Sequence, residues 1–223
     1  MPQKQEYSFP MKKVFALLRL VRALIQINKN PKNVDNFFVV SSCLQILGAH
    51  KQMEQFLQQD SASLQLIESR KTLNKMNLEN LNQLPSGSLG QVFAHHMLAH
   101  KLDPDFYPAL AVKSDQHFVI LRMRQTHDLL HVLTGFDVSE SGELGIQGFM
   151  LAQLASPLSM MLIGGSLLAL PFKHQERFLS YMESVFRGWK MGREAKPVFA
   201  FDWDANWSTP IEDIRKTLSI QLA

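Results

Sequence analysis

Leu144-Gly-Ile-Gln-Gly-Phe-Met-Leu-Ala-Gln-Leu-Ala-Ser-Pro-Leu-Ser-Met-Met-Leu-Ile-Gly-Gly-Ser-Leu-Leu-Ala-Leu-Pro-Phe172 contains no charged residue. On length alone it reaches the threshold of a membrane span. Its composition points elsewhere. Gln147, Gln153, Ser156, Pro157, Ser159, Gly164, Gly165 and Ser166 dilute the run, and Ser156-Pro157 and Gly164-Gly165 have the character of helix breaks. The stretch therefore reads as a buried helical hairpin lining an apolar slot. Met150, Met160 and Met161 are the expected lining residues, because an unbranched thioether adapts to irregular apolar shapes.

Outward from this hairpin, apolar residues recur at helical spacing and alternating β-branched runs are scarce. The fold class is all-α, a multi-helix bundle forming one domain over residues 1–223. Helices are predicted near 11–29, 34–58, 61–71, 88–101, 116–133, 142–156, 157–169, 173–193 and 210–218. Breaks are expected at Asn30-Pro31, Leu84-Pro85-Ser-Gly87, Asp103-Pro104 and Lys196-Pro197. Pro197 to Trp207 is expected to be a short extended segment, since Val198, Phe199, Phe201, Trp203 and Trp207 are β-branched or aromatic.

At 223 residues the chain can bury a full core without covalent help. Its single cysteine, Cys43, excludes an internal disulfide and a cysteine-based metal site. Net charge is +3, with Lys and Arg dispersed rather than clustered with aromatic residues, so nucleic acid is not an expected partner. Met11 to Lys29 places Val14, Leu17, Leu18, Val21, Leu24 and Ile25 on one helical face, with Lys12, Arg19, Arg22 and Lys29 roughly opposite. Two readings remain open for it: a core-packing helix with a solvated basic face, or an interfacial helix on a membrane.

The chemistry-bearing stretch is Arg122-Met-Arg-Gln-Thr-His127-Asp128-Leu-Leu-His131-Val-Leu-Thr-Gly135, followed by Glu143. Residues four apart on a helix share a face, so His127 and His131 can chelate one cation. Asp128, about 100° round the helix, can add an oxygen or hold a ligand in place. Gly135 and the Ser139-Glu-Ser-Gly142 stretch allow a turn that returns Glu143 on the first turn of the next helix. Two histidines with one or two carboxylates suit zinc, iron or manganese, and, with water, magnesium. A plain helix-surface histidine pair remains open at this stage, as does a Glu143 placed only by the helix dipole. Arg122 and Arg124, about one turn earlier, either neutralise an anionic head group or form a solvated edge. Trp189, Gly192, Arg193, Lys196 and Pro197 make a second polar and aromatic cluster at a helix end. His95, His96, His100, His117 and His174 show no ligand spacing.

Three blocks carry a resemblance to the ubiquinone (coenzyme Q) biosynthesis protein 4 family. They are Leu84-Pro-Ser-Gly87-Ser-Leu-Gly90-Gln-Val-Phe93-Ala; Arg122 to Gly135 running on to Gly142-Glu143; and Gly188-Trp189-Lys-Met-Gly192-Arg193-Glu-Ala195-Lys196-Pro197. The family's H-D-x-x-H motif with a following Glu falls on His127, Asp128, His131 and Glu143. The resemblance implies one divalent metal, zinc first and magnesium, manganese or iron as alternatives, held by these four residues, which are also the catalytic candidates. It further implies a polyprenyl-tailed quinone precursor as ligand, with Arg122, Arg124, Met150, Met160 and Met161 as binding residues. Other quinone-biosynthesis proteins, peripheral membrane contact and a homodimer are the implied partners. The implied role is pathway organiser and oxidative decarboxylase of the ring carboxyl. The implied location is the cytoplasm or membrane surface of a bacterium, or the matrix side of the mitochondrial inner membrane. In departures from the family pattern, Met150 stands where many members carry glutamate, and Ser69 where a proline usually precedes the arginine matched by Arg70. A non-catalytic prenyl-lipid carrier is the alternative reading, and a metallo-phosphohydrolase built on His127-Asp128 is a third.

Overall fold

The computed structural model describes residues 10–30, 33–107, 109–172 and 175–222. Its helices follow the apolar periodicity and are bounded by short polar side chains. They are α1 (Met11–Lys29), α2 (Asp35–Leu47), α3 (Lys51–Leu57), α4 (Ser61–Ser69), α5 (Leu78–Asn82), α6 (Leu89–His100), α7 (Asp115–Thr134), α8 (Glu140–Leu154), α9 (Pro157–Ala169), α10 (Phe178–Glu194) and α11 (Ile211–Leu218). Among the described residues there is no strand, only an isolated bridge between Ser88 and Pro210. The all-α class is as expected.

Local chemistry explains the boundaries. Asp60, Ser88, Ser114, Ser139 and Ser156 each accept a backbone N–H from the first turn of α4, α6, α7, α8 and α9 in that order, and Pro157 adds its fixed φ at the start of α9. Four expectations are corrected. The helix foreseen over 34–58 is two helices, because Gly48 takes φ +77° and turns the chain before His50. Gly164-Gly165 does not break α9, which runs through both residues. Helix α5 was not foreseen, because five residues carry too little periodicity. Finally, of the two readings open for α1, the core-packing one fails for the apolar face named: α1 buries Ala16, Leu20, Ala23 and Ile27, while Val14, Leu17, Leu18, Val21 and Ile25 are exposed. Pro197 to Trp207 lies outside the α-helices and contains one 3-10 turn at Asp204–Asn206. Pro31, Lys173 and His174 lie outside the described residues.

The largest core cluster includes Phe93, Phe118, Leu129, Phe149, Trp203 and Ile214. A second joins α1, α2 and α9 through Leu20, Val40, Cys43 and Leu162. Among the described residues no helix is long and apolar enough to cross a membrane. The closest helix contact is α8 against α10. A methyl added at Gly188 would lie 2.0 Å from the Gly145 carbonyl oxygen, and one at Gly148 would lie 2.4 Å from that of Val185. The two backbones touch because neither helix carries a side chain at the crossing.

Gly188→Ala should therefore force α8 and α10 apart and cost about 2–3 kcal/mol, measured by denaturant unfolding. Gly164→Ala, with nothing within 4 Å of the added carbon, is the control and should be neutral or slightly stabilising.

Candidate metal centre

Helix α7 ends at Gly135, whose φ of +77° turns the chain while its N–H bonds the His131 carbonyl. Ser139 then caps α8, and the Glu143 N–H bonds the Ser139 carbonyl at 2.8 Å, which fixes Glu143 in the first turn. The connection folds α8 back so that Glu143 meets both histidines. Glu143 Oε2 lies 3.4 Å from His127 Nε2, and Oε1 lies 3.3 Å from His131 Nε2. One ligand atom each from His127, Asp128 and His131 falls within 4.8 Å of the others.

Hydrogen bonding decides what His131 can do. Its Nδ1 lies 2.9 Å from the Phe136 carbonyl oxygen, which can only accept, so Nδ1 carries the proton. In the neutral ring Nε2 then bears the lone pair, is buried, and has no hydrogen-bond partner. A lone pair facing a carboxylate oxygen at 3.3 Å is repulsive unless a cation or a proton lies between them. With bonds of about 2.0–2.1 Å, two ligand atoms of a tetrahedral site lie roughly 3.3–3.4 Å apart, and each histidine stands at such a distance from one Glu143 oxygen, His127 from Oε2 and His131 from Oε1. The carbonyl bond at Nδ1 is the orienting contact that metal-bound histidines commonly make. These donors fit a divalent metal.

Electrostatics agree. Burial alone would lower the His127 imidazole and raise the Glu143 carboxyl. Facing each other they do the reverse: Glu143, with Asp128 adding, raises His127 to about 9, and the two histidines hold Glu143 far below the usual carboxylate range. His96 on α6 stacks on His131, with centroids 5.7 Å apart and planes at 18°. Neither its spacing nor its neighbours in sequence signalled that contact.

The group opens into a cavity of about 690 Å³, within the usual size of ligand pockets. Ile120, Met123, Arg124, His127 and Asp128 form its α7 wall, and Glu143, Leu144, Gln147 and Met150 its α8 wall; Leu158 and Leu162 of α9 extend the apolar lining. Of the expected binding residues, Arg124 and Met150 line it. Three do not. Arg122, 200° round the helix from Arg124, is buried on the other side and donates to the carbonyls of Phe199 and Phe201 at 3.2 and 2.7 Å. Met160 is exposed, and Met161 packs with the α1–α2 cluster, because the cavity-facing stripe of α9 runs through 158, 162, 166 and 169. Trp189, Gly192, Arg193, Lys196 and Pro197 also lie outside the lining; Gly192 serves the α8–α10 contact instead.

The sequence reading missed Phe38 and Tyr107. The Arg124 guanidinium lies 4.7 Å over the Phe38 ring, and Tyr107 meets that ring edge-on. Burial lowers the Arg124 guanidinium and, with Asp128 and Glu143, raises the Tyr107 phenol. Among the described residues no carboxylate pairs with Arg124. The arrangement is a cation beside an N/O metal-ligand group, at one end of a largely apolar cavity.

Fold and site together define an all-helical protein with a histidine and carboxylate group that could hold a metal, at the wall of a largely apolar pocket. The profile of the coenzyme Q (ubiquinone) biosynthesis protein Coq4 family matches residues 7–223, and the chain belongs to that family. It is similar to the mitochondrial ubiquinone biosynthesis protein COQ4 homolog of Rattus norvegicus, 28% identical over 170 residues, covering 74% of this chain and 63% of the rat protein. It is also 28% identical over 177 residues to the mitochondrial ubiquinone biosynthesis protein COQ4 of Yarrowia lipolytica, covering 77% of this chain and 66% of that protein. The chain thus spans somewhat less than two thirds of the length of these relatives. The crystal structure of a candidate ubiquinone biosynthesis protein from Nostoc punctiforme superposes with a TM-score of 0.83 at 29% identity, covering 91% of this chain and 95% of that one.

In the metal-free chain the His127–Glu143 pair contributes stability fully between the unfolded values of 4.5 and 6.5. The His127 part is lost as pH rises through about 9, and the Glu143 part as pH falls into the acid range. The melting temperature of metal-free protein should therefore fall from pH 6.5 to 9.5. Zinc displaces the His127 proton, so zinc affinity, measured by chelator competition, should rise by up to about tenfold per pH unit over that window. A pH-independent affinity would contradict the assignment.

Proposed function

We propose that this chain acts in the biosynthesis of ubiquinone or a related prenylated quinone, holding a polyprenyl-tailed aromatic acid in the cavity with its ring carboxyl at the His127, Asp128, His131 and Glu143 group. The observation that carries this reading is the continuity of one cavity from the Glu143 carboxylate and the Arg124 guanidinium to the apolar residues Leu158 and Leu162. A head group and a greasy tail have different solvation needs, and this cavity offers both environments.

The isoprenoid tail supplies most of the affinity, at about 25 cal/mol per Å² of apolar area buried before entropic costs. Arg124, which pairs with no carboxylate among the described residues, orients the ring carboxylate by charge-assisted hydrogen bonds. A divalent metal bound by the four residues, zinc first among them, supplies Lewis acidity toward a ring or carboxyl oxygen. Asp128 and Glu143 are the groups that can accept a ring proton, and the apolar walls limit the access of water. The finer reading is oxidative decarboxylation, in which the ring carboxyl leaves as carbon dioxide, a hydroxyl from water takes its place, and dioxygen supplied from solution accepts the two electrons as peroxide.

The exposed face of α1, with Val14, Phe15, Leu17, Leu18, Val21 and Ile25, adjoins the helix α9 that also exposes Leu168. An apolar face flanked by Lys12, Arg19 and Arg22 suits a membrane surface from which a prenyl lipid enters. Other quinone-biosynthesis proteins and a second copy of this chain are further proposed partners.

Zinc-loaded protein should bind 3-geranylgeranyl-4-hydroxybenzoate at least tenfold more tightly than the geranyl analogue, since about 200 Å² of apolar contact is lost with the shorter tail. Release of carbon dioxide from the bound acid supports the enzyme; tail-length-dependent binding without turnover identifies a carrier; equal affinity for both tails overturns the cavity reading. Arg124→Gln should weaken binding of the acid by about tenfold or more while leaving a decarboxylated analogue little affected, measured by calorimetric titration.

A further inference from the structure

His50 stands between the Gly48 turn and α3, and its side chain lines the same cavity as His127 and Glu143. It is 3% exposed. Its Nδ1 is buried with no hydrogen-bond partner among the described residues. The nearby charge that acts on it is Glu54, one turn along α3; burial outweighs that charge and keeps the imidazole below its ordinary value, hence neutral at physiological pH.

A buried imidazole nitrogen without a partner leaves its desolvation uncompensated, at a cost to the fold. Leucine or methionine would fill a similar volume without that cost, so packing does not account for a histidine here. Isoprene units carry no polar atom that could satisfy it. A neutral imidazole presents one donor and one acceptor, which match a hydroxyl or a carbonyl better than an anion. The anionic part of the ligand already has Arg124.

We propose that His50 is a ligand-binding residue whose imidazole hydrogen-bonds a neutral oxygen, a ring hydroxyl or quinone carbonyl, of the prenylated aromatic ligand, apart from the carboxyl held at the Glu143 group. This rests on the reading of the cavity as a prenylated-ring site, and it adds a specificity determinant for ring oxygenation that the metal-ligand motif does not contain.

The test compares two probes, 3-geranylgeranyl-4-hydroxybenzoate and the same acid without the ring hydroxyl, on the full chain and two variants. His50→Leu should weaken binding of the hydroxylated probe about tenfold, leave the deoxy probe within about twofold, and raise the melting temperature of the ligand-free protein by removing an unpartnered buried polar group. His50→Gln, which keeps a donor and an acceptor, should retain most of the affinity for the hydroxylated probe. Equal loss for both probes, no loss for either, or a lowered melting temperature in His50→Leu overturns the proposal and makes His50 a structural residue. Absence of binding of either probe by the unaltered protein overturns the cavity reading, and this inference with it.

Discussion

Helix α8 lies on α10 with backbone against backbone, and a single methyl at Gly188 would stand 2.0 Å from the Gly145 carbonyl. That contact sets the position of α8, and α8 carries Glu143 on its first turn and Gln147 and Met150 beyond it along the cavity wall. On the other side of α8 the helix meets α7, where His127, Asp128 and His131 face it. A small shift at the α8–α10 crossing would therefore be transmitted to the 3.3–3.4 Å separations at Glu143.

The second constraint is the tautomer of His131. Because its one ring proton is spent on the Phe136 carbonyl, the other nitrogen presents a lone pair to a carboxylate. In the metal-free site Glu143 pairs instead with His127, which it raises to about 9, and the His131 nitrogen is left facing the carboxylate. A divalent ion resolves the conflict, because it satisfies both histidines and the carboxylate at once. The same atoms that form an ion pair without metal would chelate a bound ion, which would tie the pH dependence of the site to its occupancy.

Much of this was legible in the sequence. The all-α class followed from helical periodicity, the hairpin from Ser156-Pro157, and the histidine pair from a spacing of four on one helix. What stayed illegible were contacts between elements distant in sequence. Arg122 and Arg124 look alike in the chain, yet they point to opposite sides of α7, one to the Phe199 and Phe201 carbonyls and one to the cavity. Helical phase separates them only once one knows which face meets α8. Likewise, Met160 and Met161 have the flexible chemistry expected of a slot but sit at the wrong phase of α9. On α1, Ala16, Leu20, Ala23 and Ile27 face α2 and α9, while the more numerous large apolar residues of the other faces lie outside. Phe38, Tyr107 and His50 carry no motif, and only the cavity brings them to the ligand group.

The central claim is that His127, His131 and Glu143 hold one metal ion. The most direct test is anomalous diffraction at the zinc absorption edge from crystals of zinc-saturated protein. The account predicts a single peak about 2.0–2.2 Å from His127 Nε2, His131 Nε2 and a Glu143 oxygen, with Asp128 at or beside the coordination sphere. Zinc-saturated crystals with no peak at that position, and Glu143 hydrogen-bonded to protonated histidine instead, would contradict it.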